Sequence, residues 1–545
     1  MSPRSYPYSK GKGRERMNLV IAEKPSVAKS IADVIGANSR KDGYMEGNGY
    51  FVTWCVGHLV ELASADFYDE KYAKWKYEDL PILPEEWRYV ISKGKEKQMK
   101  IIGALIKQSD VTTIIAATDS GREGELIFRL VYEKLGCNKP IKRLWISSME
   151  ESAITEGFKN LHDGKEFELL YEAALSRAKA DWIVGINATR LFSVLYGQTL
   201  NIGRVMSPTL AMIVEREANI SAFKPQPFYT IQLDCGDFIL VSEKITDKKM
   251  AETIYKGCDR QSVIIKEVEN KEKIEKPPKL YDLTTLQREA NRQLGFTAEQ
   301  TLDYVQSLYE KKFLTYPRTD SRYLTEDMKE NTLAVVEAIA GFFMLGNIQL
   351  PICMEQVIDN SKVSDHHAII PTICVKGYDI YSLPFGEREI LLLVALRLIC
   401  AVGESNRYKE TIIRASCNNT IFTSKGKVVI SDGFKAVEKN YYASKKEQVK
   451  KDKDKALPHV AQGETFTAKA TIKEGKTTPP KYFTDDTLLS AMENANNALE
   501  DIDRKGIGTP ATRAGILENS LRQDLQSVKA IRKQSILFLP IRVFL

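Results

Sequence analysis

Apolar and polar positions change their period several times along the chain. From Met17 to about Ser148, strand-like and helix-like runs alternate: "NLVIA" is a short apolar strand, Ser26 to Ile35 has amphipathic helical spacing, "TTIIAAT" is apolar along its length, and Glu123 to Leu135 is helical. This alternation predicts a parallel sheet with helices on its faces. Glu151 to Ala222 reads as continuous helix, broken at "GQTLNIGR" and at Pro208. Period-two alternation in "FYTIQLDCGDFILVSEKI" and "SVIIKEVE" then predicts antiparallel strands. Helices return from Thr284 to Lys311, and a mixed segment runs to about Cys400. A second strand-rich part follows in "TIIRASCNNTIFTSKGKVVI" and "ETFTAKATI", separated by the lysine-rich "SKKEQVKKDKDK", which reads as a solvated loop.

An internal echo orders these parts. "KPPKLYDLTTLQ" and "TPPKYFTDDTLL" each carry a Pro-Pro-Lys step from a strand region into a helix. One β domain built from two distant segments is the expectation. The chain divides into a leader (1–16), an α/β part (17–150), a helical part (151–222), a β part (223–280), a mixed part (281–405), a second β part (406–478) and a second helical part (479–545). The fold class is a multidomain α/β plus α plus β chain.

Composition narrows the class. At 545 residues, several cores are needed, and 43% hydrophobic with 28% charged residues excludes global disorder. The net charge of +6 leaves nucleic acid open without requiring it. Eight scattered cysteines form no C-x-x-C pair, which argues against structural zinc and a secreted disulfide framework and for a reducing cytoplasm. The leader "MSPRSYPYSKGKGRER" has no apolar run behind a cleavage site, so it is read as a disordered basic leader and not as a secretory signal. No segment reaches the roughly 18 consecutive apolar residues of a membrane span. The terminal "SILFLPIRVFL" is short and interrupted by Pro540 and Arg542.

Chemistry concentrates at two places. "LVIAEKPSVAKSIADVIG" puts Glu23 and Lys24 at the carboxyl end of a strand, and "AATDSGREGELIFR" puts Asp119 and Glu123 around a glycine-rich turn after another. Ligands gather at the carboxyl ends of strands in open α/β sheets, so the three acids converge in this reading. Three hard oxygen donors suit Mg²⁺, which could hold a phosphate. The competing reading makes Asp119 a helix cap and Glu123 its capping-box partner, and spacing alone leaves the two even.

The other place is "FLTYPRTDSRYL". Pro317 drives Tyr316 toward an extended conformation, which sets Arg318 at i+2 on the same face. A guanidinium beside a phenol favours phenolate and offers an anion-binding fork. Taken alone, Tyr-x-Arg more often means a packed strand tyrosine with Arg318 paired to Asp320.

The motifs together resemble a known family. "A-E-K-P-S" with "D-x-G-R-E-G-E" looks like the Toprim fold, in which the usual acidic pattern is D-x-D-x-E and Gly121 here replaces the middle aspartate. "T-Y-P-R-T-D-S" resembles the active-site signature of type IA DNA topoisomerases, and "SDHHAIIPT" resembles their H-x-A-I-x-P-T motif with His366. "ALSRAKADWIVGINATRLFSVL" and "GRVMSPTLAMIVEREANISAF" also match, with Met206 where glutamine is common. The likeness runs from Met17 to about Glu518, nearest to the bacterial topoisomerase III branch.

The resemblance implies a torus of four domains: Toprim, helical, β arch and a small tyrosine-bearing domain. It implies that Tyr316 attacks single-stranded DNA to form a 5′-phosphotyrosine, passes a strand and religates without ATP, relaxing negative supercoils or decatenating DNA. Glu23 or Lys24 would handle the 3′-hydroxyl proton, Arg318 would stabilise the phosphorane, and His366 would contact a phosphate. One Mg²⁺ would sit on Asp119 and Glu123 with Glu23 nearby. Arg177, Arg190 and Arg204 would line the strand groove, with Ser207 and Thr209 as lesser contacts. A monomer in the bacterial cytoplasm, at the nucleoid, working beside a helicase and a single-strand-binding protein, completes the expectation.

The tail "LRQDLQSVKAIRKQSILFLPIRVFL" departs from the family's continuation, as a truncated or frame-shifted copy would. Two alternatives follow: a copy that binds or cleaves single strands without full strand passage, and a Toprim nuclease or primase.

Overall fold

In a computed structural model, residues 16–343, 352–363, 366–444, 456–495 and 506–520 are described. The leader, the lysine-rich 445–455 and the tail beyond 520 lie outside them.

The first strands are β1 (Met17–Ala22), β2 (Ser39–Lys41), β3 (Tyr44–Gly47), β4 (Tyr50–Trp54), β5 (Val60–Leu62), β6 (Tyr89–Ile91), β7 (Val111–Ala117), β8 (Ile141–Arg143) and β9 (His162–Asp163). Seven of them form one sheet in the order β2-β3-β4-β1-β7-β8-β9, and β5 pairs with β6 apart from it. The central strands β4, β1, β7 and β8 run parallel. Burial on both faces explains why β1 and β7 read as unbroken apolar runs. The edges are antiparallel. Polar, exposed β2 carries no periodicity that would announce a strand.

Helix Pro25–Ile35 starts with proline at its first turn and stops at Gly36, whose φ of 81° is left-handed. It covers one face of the sheet, and helices Glu96–Ile106 and Arg122–Lys134 cover the other.

The expected continuous helix from Glu151 to Ala222 is corrected in two places. It breaks after Lys159, because His162–Asp163 joins the sheet as β9 before helix Glu168–Tyr196 begins. Pro208 does not break anything: it lies in the first turn of helix Met206–Ala222, where no helical N–H partner is required.

The β part is a closed antiparallel barrel, β10-β11-β14-β13-β12-β15, built from both distant segments. Its strands are β10 (Pro227–Asp234), β11 (Ile239–Ser242), β12 (Gln261–Glu275), β13 (Asn406–Cys417), β14 (Thr420–Ser431) and β15 (Thr465–Lys476). Asn418 and Asn419, at φ 49° and 63°, turn β13 into β14, as a two-residue hairpin loop of mirror-image type requires. Helix Lys248–Cys258, absent from the strand reading, buries Ala251 and Cys258 in the barrel core.

After each Pro-Pro-Lys step a capped helix follows: Asp282 caps Leu283–Leu294 and Thr484 caps Asp485–Glu493. These two helices pack together, Arg288 pairing with Asp486 at 2.8 Å. Helices Ala298–Glu310 and Lys329–Ala340 surround the almost wholly buried Phe385–Ala401. Phe313 to Leu324 is an extended loop with single bridges at Leu314 and Leu324, not a strand. Among the described residues, no helix is long and apolar enough to cross a membrane.

Candidate active site

Parallel pairing of β1 with β7 sets Ala22 beside Ala117, so the residues that follow each strand emerge side by side. Glu23 and Asp119 therefore meet: the Asp119 backbone N–H donates to Glu23 Oε2 at 3.4 Å. Burial, then the negative charge of Asp119, pushes the Glu23 carboxyl up to about 7. Asp119 is raised too, by burial, against the lowering charges of Arg318 and Lys24.

Tyr316 reaches this pair from 197 residues away, its hydroxyl donating to Asp119 Oδ2 at 3.2 Å. Its backbone N–H donates to the Ser147 carbonyl at 3.0 Å. The ring is buried, edge-on to Tyr309 at 5.5 Å and tilted against His366 at 4.2 Å. Burial, then Asp119, holds the phenol well above its ordinary value, and the guanidinium of Arg318 lowers it without reversing that. The expectation of a phenolate favoured by Arg318 is thus corrected. Arg318 itself is exposed, and no ion pair with Asp320 forms among the described residues.

His366 lies between Tyr316 and the parallel ring of Trp145, 6.4 Å away. Its Nε2 faces the Ser120 carbonyl, which only accepts, so Nε2 carries the proton. Nδ1 is buried with no hydrogen-bond partner among the described residues. Burial lowers the imidazole to about 4, so it is neutral. Lys24 is drawn off the acids: its Nζ pairs with Glu310 at 3.0 Å, and Ser26 donates to the other Glu310 oxygen at 3.0 Å.

The three acids do not close into one cluster. Glu123, more than half exposed, faces His58 at 3.8 Å, and no group of three His, Cys, Asp or Glu with metal-holding geometry occurs among the described residues. Glu23 and Asp119 nevertheless fit a divalent cation: two hard carboxylates stay raised by burial despite the charges of Arg318 and Lys24, and a cation would offset that cost. A Cβ at Gly121 would meet nothing within 4 Å, so its lack of a side chain does not reflect crowding.

The expected strand-groove residues separate. Arg204 is half-exposed and pairs with Asp181 at 2.6 Å, with Arg177 on the same carboxylate at 3.9 Å. Ser207 accepts from the Gly203 N–H at 3.1 Å and is partly exposed. Arg190 is corrected: it is buried, donates to the Tyr72 carbonyl at 2.8 Å and lies over the Trp75 ring at 5.5 Å. Thr209 is also corrected, being fully buried with its hydroxyl on the carbonyl of Val205, the residue that precedes its own helix, at 2.7 Å.

Sequence reasoning passed over the support beneath Asp119. Arg143, fully buried, donates to the Thr118 carbonyl at 2.8 Å and to the Asp119 carbonyl at 2.7 Å, and pairs with Glu125 at 3.0 Å. Glu125 also holds Arg129 at 2.8 Å. The only signal was the second glutamate of "GREGE", two positions past Glu123 and hence on another side of the helix.

Comparison with known proteins follows the same lines. A family model described as DNA topoisomerase matches residues 165–536, and one described as Toprim domain, a fold generally associated with divalent metals, matches 18–149. DNA topoisomerase 3 of Bacillus subtilis (strain 168) is 40% identical over 529 residues, covering 92% of this chain and 71% of that protein. DNA topoisomerase 3 of Bacillus anthracis is 40% identical over 526 residues, with 92% and 72% covered. Full-length topoisomerase I from Thermotoga maritima shares the fold at a TM-score of 0.67 and 24% identity, over 93% of this chain and 78% of that one.

Proposed function

The chain belongs to the type IA DNA topoisomerases, which work without ATP, and from that premise we propose that Tyr316 is its nucleophile and Asp119 the acceptor of the tyrosine proton. The observation that carries this reading is the Tyr316 hydroxyl resting on Asp119 at 3.2 Å. With the phenol held well above its ordinary value, attack needs a base within hydrogen-bond reach.

The Tyr316 oxygen forms a bond to phosphorus in single-stranded DNA while the P–O3′ bond breaks. The phenolic proton goes to Asp119. Glu23, with its carboxyl near 7, is half protonated at neutral pH and gives its proton to the departing 3′ oxygen. Lys24, engaged by Glu310, is the weaker candidate for that proton. Arg318 is exposed beside the acids and Tyr316, where it meets charge developing on the phosphate. His366, neutral, orients Tyr316, and its Nε2–H is free to donate to a phosphate once opening releases it from the Ser120 carbonyl. Resealing reverses the two proton transfers, and the phosphotyrosine keeps the bond energy.

Mg²⁺ is the divalent ion we assign to this site: Asp119 and Glu23, in their ionised forms, would hold it, with Glu123 as the further candidate ligand, and it would supply charge neutralisation for the phosphates. Arg204, Arg177 and Ser207 hold the strand. Negatively supercoiled or catenated DNA is the natural substrate, a helicase or single-strand-binding protein supplies unpaired strand, and a monomer in the bacterial cytoplasm suffices.

The test incubates the protein with end-labelled single-stranded DNA and Mg²⁺, then denatures it. A covalent adduct that Tyr316→Phe abolishes is expected, together with supercoil relaxation by the intact protein. An adduct that persists in Tyr316→Phe would overturn the reading.

A further inference from the structure

A cleft of about 490 Å³ opens beside the site, between the β2–β3 hairpin, the end of β4 and the start of helix Glu96–Ile106. Its lining carries four cations, Arg40, Lys41, Lys95 and Lys97, against the single carboxylate of Asp42. The size suits one nucleotide. Arg40 is exposed and pairs with no carboxylate among the described residues. Lys97 meets Asp42 at 2.8 Å in a solvent-facing pair, which a phosphate can exchange at little cost. The partly buried indole of Trp54 forms a wall on which a base can stack.

The lip of the cleft is strained. Val56 has φ +55° and is 46% exposed, a backbone conformation that a β-branched residue rarely adopts. Lys95 holds the turn by donating to the carbonyls of Val56 at 3.1 Å and His58 at 2.8 Å. Across the turn, the Gly57 N–H donates to the Glu23 carbonyl at 3.2 Å, and the His58 ring faces Glu123. Arg122 and Arg177 act on Glu123 in turn, and Arg204 on Arg177. A cationic row therefore runs from the cleft past the acids to the helical arginines.

We propose that this cleft is a subsite for one nucleotide of the bound single strand, outside those that Tyr316 acts on: its base stacks on Trp54 and its phosphate sits between Arg40 and Lys97. The assignment rests on the single-strand reading given above.

The test measures binding of fluorescein-labelled oligothymidylates of increasing length to the full chain by anisotropy at several salt concentrations. For strands long enough to reach the cleft, the double variant Arg40→Ala/Lys97→Ala is expected to flatten the slope of log K against log salt by about 0.7, the contribution of one neutralised phosphate. Short strands should bind unchanged and still yield the Tyr316 adduct. Arg40→Lys/Lys97→Arg should retain the wild-type slope, and Asp42→Asn should tighten long strands about threefold, a gain that misfolding cannot produce. An unchanged slope at every length, or equal weakening at every length, overturns the proposal. Thymidine 5′-monophosphate binding that the double variant loses, with no length-dependent change in the strand slope, would assign the cleft to a free nucleotide and overturn the strand reading. A wild type that forms no adduct yet keeps the length-dependent slope difference would refute the nucleophile assignment and leave the subsite standing.

Discussion

Exchanging Glu125 for glutamine is the sharpest probe of how Asp119 is held. Glu125 and Arg143 are essentially inaccessible, with side-chain exposures of 1% and 0%, and Arg129 is 9% exposed. One carboxylate thus faces two guanidiniums, at 3.0 Å from Arg143 and 2.8 Å from Arg129. Glutamine keeps one acceptor and turns an NH₂ toward the other arginine. Removing one partner of a buried pair costs about 3–5 kcal/mol, a large part of the roughly 5–15 kcal/mol that holds a domain. Arg129 retains Glu168 at 2.9 Å, so the loss falls mainly on Arg143.

For a domain of this size, about 2–4 °C per kcal/mol converts that loss into a melting point lower by roughly 6–20 °C. Trp145 is the reporter, since the Arg143 guanidinium lies 5.1 Å from its ring. Calorimetry and Trp145 fluorescence should show the α/β part melting early while the barrel is unaffected. DNA cleavage should fall even at temperatures where Glu125→Gln is folded, because Arg143 no longer fixes the Asp119 carbonyl. The double variant Glu125→Leu/Arg143→Met should regain most of the stability and none of the cleavage. A loss under about 1 kcal/mol would refute this, showing that the main-chain carbonyls around Arg143 suffice for its charge.

Three further outcomes are expected. His366 is held near 4 while closed and returns to its ordinary 6.5 when exposed, so below pH 6.5 the opened or unfolded chain takes up a proton that the closed one does not. Closure should weaken by about 2 kcal/mol between pH 7 and pH 5 in the wild type but not in His366→Gln, and parallel pH–melting curves would contradict this. Arg190→Ala should lower stability by about 1–2 kcal/mol through the lost Tyr72 bond and leave the salt dependence of DNA binding intact, whereas Arg204→Ala should do the reverse, by melting and anisotropy respectively. Glu310→Ala frees Lys24 and Ser26 and should speed hydrogen exchange at the Tyr316 amide about fivefold, worth about 1 kcal/mol; unchanged exchange would remove Glu310 from the closure.

What could be read in advance follows from where each residue's partners lie. β1 and β7 are buried on both faces, so their apolar runs identified them, and the rule about strand ends brought Glu23 to Asp119. The β2–β3 hairpin, polar and at an edge, left no such trace. Arg190 and Arg204 look alike as basic residues of the helical part, and the covering loop at Tyr72 and Trp75 tells them apart. Glu125 was passed over because its partner Arg143 lies on a separate element, β8. The Tyr316 phenol was misjudged for the same reason: Arg318 is visible at i+2, but the carboxylate that outweighs it lies 197 residues away.

Closure of the tyrosine segment on the sheet depends on contacts that the proposed chemistry itself alters. Across the junction run Lys24 and Ser26 to Glu310, the Tyr316 amide to Ser147, the Tyr316 hydroxyl to Asp119, His366 to Ser120, and the Ile373 N–H to Glu150. Each contributes about 0.5–1.5 kcal/mol, so together they hold the site shut by an amount that reversible opening can overcome. Once the Tyr316 oxygen is esterified it has no proton to give Asp119, and that bond is lost at the moment a gate would need to open. Cleavage therefore weakens closure, and religation, by returning the proton to the phenol, restores it.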